Sequence, residues 1–278
     1  FCSFSGNVFA QDTTVIDPYG NIPCLSGSYS PSPNTSTITI DGNPYEWPGV
    51  LSNQTYEYKK KAFVNDPFNQ IGVDNQWTNG SQDPDLISQW AVVDGNSNDK
   101  GDIGNAGAIL LHDTLFFCGD RAAYNGDAQI GFWFFKDRVS INQDGSFSGI
   151  HMNGDLLILS TFTNGGGVGN PNIYTWENGA LVQAVNPAAL LATNPNQIYS
   201  PNGQTVDLGS GGLKTWTFYP KNVISGCKDY LANLFFEGYV VLTSINDFNV
   251  GCYASFLLET RNSQSTNASL QDVVVGAF

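Results

Sequence analysis

Residues 94–102 read "DGNSNDKGD" and set oxygen-bearing side chains at Asp94, Asn96, Asn98, Asp99 and Asp102. Hard cations select such donors, and Ca2+ takes about six to eight of them. The stretch resembles the start of an EF-hand loop, but Asn105 stands where the closing Glu should be, and no flanking helices are visible. A loop site for Ca2+ on a β framework is the expectation, drawing also on Asp74 and Asn75 of "VDNQW". The plainer alternative is a set of Asx turns, in which Asp and Asn bond their own backbone.

Only three arginines occur, Arg121, Arg138 and Arg261; the other eight cations are lysines. Arg suits planar, two-pronged pairing with carboxylates in half-buried places. Arg121 follows Asp120 and lies near Asp127, and Arg261 follows Glu259. These groups are expected to act as internal braces, with direct ligand contact by Arg121 as the alternative.

Signatures of catalysis are missing. His112 and His151 lack metal-ligand spacing, and there is no nucleophile elbow, zinc-protease helix or phosphate loop. A glycosidase would need two carboxylates on one cleft. Glu237 in "FFEGY" and Glu259 in "LLETR" could supply them, although structural acids bonded to backbone or Arg account for both more simply. Non-catalytic work is therefore expected. Trp47, Trp77, Trp90 and Trp176 fall in or beside loops and could stack on sugar rings, whereas Trp133 in "GFWFF" reads as core.

Five cysteines stand at 2, 24, 118, 227 and 252 without a CxxC pair, which excludes a zinc ribbon or a thioredoxin motif. The opening "FCSFSGNVFAQD" resembles the tail of a secretory leader, with Val8 and Ala10 at the cleavage-site positions. Removal after Ala10 would leave four cysteines, an even number that suits disulfides in an exported chain. Cys227–Cys252 is the favoured pair, because the segment between them can form a strand pair; Cys24–Cys118 follows by elimination.

Composition narrows the partners. The net charge of −14 and pI near 4.2 argue against nucleic acid, whose phosphates need basic surfaces, and against anionic lipid. No stretch of about 18 apolar residues is present, so no helical membrane span is expected. Asp outnumbers Glu by 20 to 5, and turn and strand residues dominate over helix formers.

The elements that must hold these groups are strands. "STITIDG" and "YEYKKKAFV" alternate, the second with lysines suited to an exposed edge. Residues 65–105 form a long polar region in which "ISQWAVV" reads as a strand. Then come "AGAILLH", "TLFFCGDR", "AQIGFWFFKD", "DLLILSTFT" and "NIYTWEN", several apolar at consecutive positions, as when both faces are covered. His112-Asp113 and Asp144-Gly145 read as hairpin turns, and "PAALLAT" is the one plausible helix. The sum is an all-β, jelly-roll-like two-sheet sandwich over 37–278, behind a leader remnant and extended arm over 1–36. That arm, Pro-punctuated, could donate a strand to a neighbouring copy.

Three stretches resemble a domain of large secreted and cell-surface bacterial proteins, of the gliding-motility and adhesin type: "VDNQWTNGSQD", "GDIGNAGAILLHDTLFFCGDRAAYNGDAQIGFWFF" and "ASFLLETRNSQSTNASLQDVVVG". "ITIDGNPYEW" and "GDAQIGFWFF" are also similar to DOMON-like carbohydrate-binding modules. The resemblance implies an extracellular β-sandwich for adhesion or display, with copies of itself or surface glycans as partners. It places Asp74, Asn75, Asp102, Asp120, Arg121, Asp127, Arg261 and Asp272 on its motif. A carbohydrate-binding module of a larger secreted protein is the second reading.

Overall fold

The computed structural model describes residues 25, 38–54, 60–66, 74–78, 80–95, 97–123, 128–162, 170–221, 227–245 and 253–278. In chain order, a short helix α1 (Glu46–Ser52) precedes β1 (Lys60–Asn65), β2 (Asn75–Trp77), β3 (Val92–Asp94), β4 (Ile103–Leu111) and β5 (Thr114–Arg121). Next come β6 (Ala128–Phe135), β7 (Ser140–Ile141), β8 (Phe147–Ser148), β9 (Leu156–Phe162), β10 (Asn172–Glu177) and β11 (Ala180–Gln183). The last are β12 (Ala189–Thr193), β13 (Thr205–Asp207), β14 (Leu213–Thr215), β15 (Phe235–Val241), β16 (Ser255–Arg261) and β17 (Leu270–Ala277).

These strands build a five-stranded sheet, β1-β4-β5-β15-β12, and an eight-stranded sheet, β11-β10-β9-β6-β16-β17-β2-β3. Two small ribbons, β13-β14 and β7-β8, accompany them. The pairings are antiparallel, and the chain is an all-β sandwich. Among the described residues no helix is long and apolar enough to cross a membrane.

The continuous apolar runs have a direct physical cause. Successive strand residues point to opposite faces, and here both faces of both sheets are covered. On β6, Phe132 and Phe134 enter the core between the sheets with Phe117, Ile158, Phe236 and Leu258. Trp133 and Phe135 face the other way, into a second cluster with Trp77, Trp90, Trp176 and Leu257 on the outer side of the eight-stranded sheet. A third cluster of Trp47, Phe63, Cys118, Trp216, Tyr230 and Phe235 covers the outer side of the five-stranded sheet. The order is cluster, sheet, core, sheet, cluster.

Several expected elements are present. The turn at His112-Asp113 joins β4 to β5 with His112 left-handed at φ 54°, and Gly145 at φ 81° turns β7 into β8. The lysine-rich strand β1 is an edge. Others differ. "PAALLAT" forms β12 rather than a helix, because register with β15 from Ala189↔Val240 to Thr193↔Phe236 satisfies its backbone across the sheet edge. Ile38–Ile40 is irregular, and the turn at Asp41-Gly42 is instead held by a side chain of β15. Within "ISQWAVV" a 3-10 turn at Ile87–Gln89 comes before the strand β3. The helix α1 carries no signal that the sequence pattern reveals.

Candidate functional site

The two glutamates of the glycosidase reading point in opposite directions. Glu237 on β15 lies on the third-cluster side, where Oε2 accepts from Trp47 Nε1 at 2.6 Å and Oε1 from the N–H groups of Asp41 (3.0 Å) and Gly42 (2.6 Å). Gly42 is left-handed at φ 82°, and a Cβ there would stand 2.2 Å from the Thr193 carbonyl oxygen, so only glycine lets this turn close on the sheet. Burial, then the Glu46 charge, push Glu237 up to about 8 against its three donors. Glu46, whose Oε1 takes the Thr39 N–H, is pushed up to about 7 by burial.

Glu259 on β16 lies on the second-cluster side. Its Oε1 accepts from Arg261 Nη1 at 2.8 Å, and the same nitrogen meets Asp83 Oδ2 at 2.5 Å. Asp83 Oδ1 accepts from Trp133 Nε1. Gly131 across the ladder leaves the room, since a Cβ there would overlap Glu259 Oε1. Burial and then Asp83 raise Glu259 well above the carboxylate range, against the pull of Arg261. Glu259 and Arg261 thus form the expected brace, with Asp83 as a member that the sequence does not reveal. Both sheets lie between Glu237 and Glu259, so these two cannot act on one substrate.

The second expected brace is built differently. Asp120 and Arg121 are neighbours on a strand and point to opposite faces. Asp120 accepts from the Asn105 N–H at 2.8 Å, from Asn105 Nδ2 at 2.6 Å and from the Tyr230 hydroxyl. Arg121 Nε donates to the Asn233 carbonyl, and burial pushes its guanidinium down to about 10. Asp127 lies outside the described residues.

The four tryptophans suited by position to sugar stacking are core residues. Trp47, Trp77, Trp90 and Trp176 are 0%, 4%, 1% and 3% exposed. Trp90 meets Trp77 and Trp133 edge-on, and Trp176 stacks on the His151 ring, a side chain 2% exposed, at 3.9 Å between ring centroids. Rings this deeply packed have no free face for a pyranose. Cys118 is a free, buried thiol, which overturns Cys24–Cys118. Cys227 is buried; Cys24 and Cys252 lie outside the described residues.

The oxygen-rich loop also disperses. Asp94, Asn98 and Asp99 point outward, Asn96 lies outside the described residues, and Asn75 pairs with Asp94 across β2 and β3. Asp99 forms an ion pair with Lys221, and Asn98 Nδ2 donates to Gln271. Two members of the expected set, Asp74 and Asp102, instead turn inward to meet two acids from far along the chain.

Asp66 and Asp102 belong to the five-stranded sheet. Asp66 follows β1, its N–H donating to the Gly104 carbonyl at 2.7 Å, and Asp102 precedes β4. Asp74 and Asp272 belong to the eight-stranded sheet, just before β2 and within β17. Asp272 Oδ2 reaches across to accept the Ile103 N–H at 2.6 Å. Carboxylate oxygens of Asp66, Asp74 and Asp272 lie within 4.8 Å of one another. All four acids are buried, from 0% exposed for Asp272 to 5% for Asp66. Burial first, then the Asp74 and Asp102 charges, push Asp66 up to about 8; burial and Asp74 push Asp102 up to about 7, and Asp272 is raised well above its ordinary value. Like charges crowded together away from solvent do that.

Comparison of the chain with protein-family models, with curated proteins and with solved structures finds no match.

Beside the acids opens a groove of about 350 Å3. Its lining runs along β17 from Val273 to Val275 and Ala277, along the end of β1 from Val64 to Asp66, and along Arg138–Ile141 at β7, with Asn75 at one end. Along one side β17 pairs with β16 over its length; along the other, β2 meets it only at Asp272↔Gln76. From Val273 to Ala277 the second edge of β17 therefore has no strand partner among the described residues. Arg138 is exposed at this groove.

Proposed function

We propose that this chain is a non-catalytic structural or adhesive β-sandwich of an exported surface protein, joined to copies of itself by strand addition. The observation that carries the reading is the edge of β17 that has no strand partner among the described residues, along a groove with Val64, Val139, Ile141 and Val275 in its walls. An unpaired strand edge offers alternate N–H and C=O groups to an extended segment, and flanking apolar pockets take its side chains.

The donor is the arm. Residues 13–16, "TTVI", are four consecutive β-branched residues between Asp12 and Asp17. Those are the only acids among residues 1–37, which contain no Lys or Arg. In a chain of net charge −14, exposed Arg138 is a rare local cation for them to meet. The glycan-module alternative loses the four stacking rings on which it stood, and the hydrolase alternative its converging acids.

Electron microscopy and sedimentation of the full chain beside a chain starting at residue 38 test the reading. The full chain is expected to form filaments or chains of particles. The shortened chain should remain a folded monomer that binds a peptide of residues 11–18, and Arg138→Glu should weaken that binding. A shortened chain that still polymerises, or a full chain monomeric at every concentration, would refute it.

A further inference from the structure

We propose that Asp66, Asp74 and Asp272, with Asp102 beside them, bind one Ca2+ ion that clips the two sheets together. The inference stands apart from strand addition, since it concerns a site within one chain.

The geometry fits that ion. Opposite ligands of Ca2+, at about 2.3–2.6 Å each, stand about 5 Å apart, and the three carboxylates present oxygens within 4.8 Å of one another. Mg2+ demands shorter, strictly octahedral contacts and keeps its waters, which a dry set of side chains serves poorly. Softer metals prefer sulfur or imidazole, and neither histidine belongs to this group.

A second observation points to a ligand. Asp66 is 5% exposed, and its Oδ2 is buried with no hydrogen-bond partner among the described residues. Buried carboxylates are ordinarily bonded or paired. The same chain shows the ordinary solution at Glu259 and Asp83, which share Arg261. By contrast, the charged neighbours that shift Asp66 and Asp272 are all acids. The lysine whose charge reaches Asp102, Lys221, is bonded to Asp99. A dication supplies the missing positive charge.

Calorimetric titration and thermal melting of chelator-stripped full chain test this. One Ca2+ per chain is expected, with the melting temperature rising by about 5 °C or more at a hundredfold excess over Kd. Mg2+ should bind at least about tenfold more weakly. Asp66→Asn and Asp74→Asn should each lose Ca2+ affinity by about tenfold or more. Without metal, each should melt no lower than the unsubstituted chain, because one of the crowded charges is gone. Should a variant fail to fold, metal content of the unsubstituted chain by mass spectrometry still decides. No heat and no melting shift with millimolar Ca2+, or unchanged binding by both variants, would overturn the proposal.

Discussion

Arg261 and Arg121 show how differently one residue type is used within one fold. Arg261 holds two buried acids, and removing it leaves both without that cation. Arg261→Met is expected to destabilise the fold by about 3–5 kcal/mol, read from the urea midpoint, whereas a surface ion pair such as Lys221–Asp99 would contribute under about 1 kcal/mol. The pair Glu46 and Glu237 makes a pH prediction. Both carboxyls titrate higher in the folded chain than unfolded, so folding favours their protonated forms. The stability they add is complete below about pH 4 and is lost as pH rises through about 7 and 8. With Ca2+ saturating, stability should fall from pH 6 to 9, by at most about 1.4 kcal/mol per pH unit for each group, and the melting temperature with it. Glu46→Gln should flatten the lower part of that fall; an unchanged profile in that variant would show that the acids do not titrate as argued. At this scale the sequence is half legible. Glu259 and Arg261 sit two residues apart on one strand face, which alternation reveals. Asp66 and Asp272 lie at opposite ends of the sandwich sequence, and only the stacking of one sheet on the other brings them together.

Strands are the most legible elements, because an apolar residue at every position of a short run, in an Asp-rich chain, points to a strand covered on both faces. β4, β5, β6 and β9 run where the pattern puts them. The same pattern cannot say which face meets which layer. For that reason four tryptophans near loops look available to sugar, although each closes an outer cluster. "PAALLAT" is rich in helix-forming residues, and its ladder with β15 decides against them. The central position of β5, between β4 and β15, also fixes the chemistry of Cys118. Burial pushes its thiol well above the ordinary value. A thiol reagent should therefore leave Cys118 unlabelled in the native protein and modify it on unfolding, as peptide mapping would show; rapid native labelling would mean that β5 is not sandwiched between covered faces.

At the scale of the molecule, the acidic composition argues against nucleic acid, but it does not say which acids meet. Asp94, Asn98 and Asp99 look like ligands in the sequence and lie at the surface, while the acids that meet are the ones hidden at the seam between sheets. The turn at the N-terminal side of the sandwich has a mechanical consequence. Asp41 and Gly42 are fastened to β15 by the Glu237 carboxylate, beside the outermost strand β12. Nearer the N-terminus the Leu25 N–H is held by Asp229 and the Thr39 N–H by Glu46, so tension from that side would load these carboxylates and Glu237 in turn, ahead of the ladders behind them. Whatever pulls on this chain from its N-terminal side pulls on a series of acids whose grip changes with their protons.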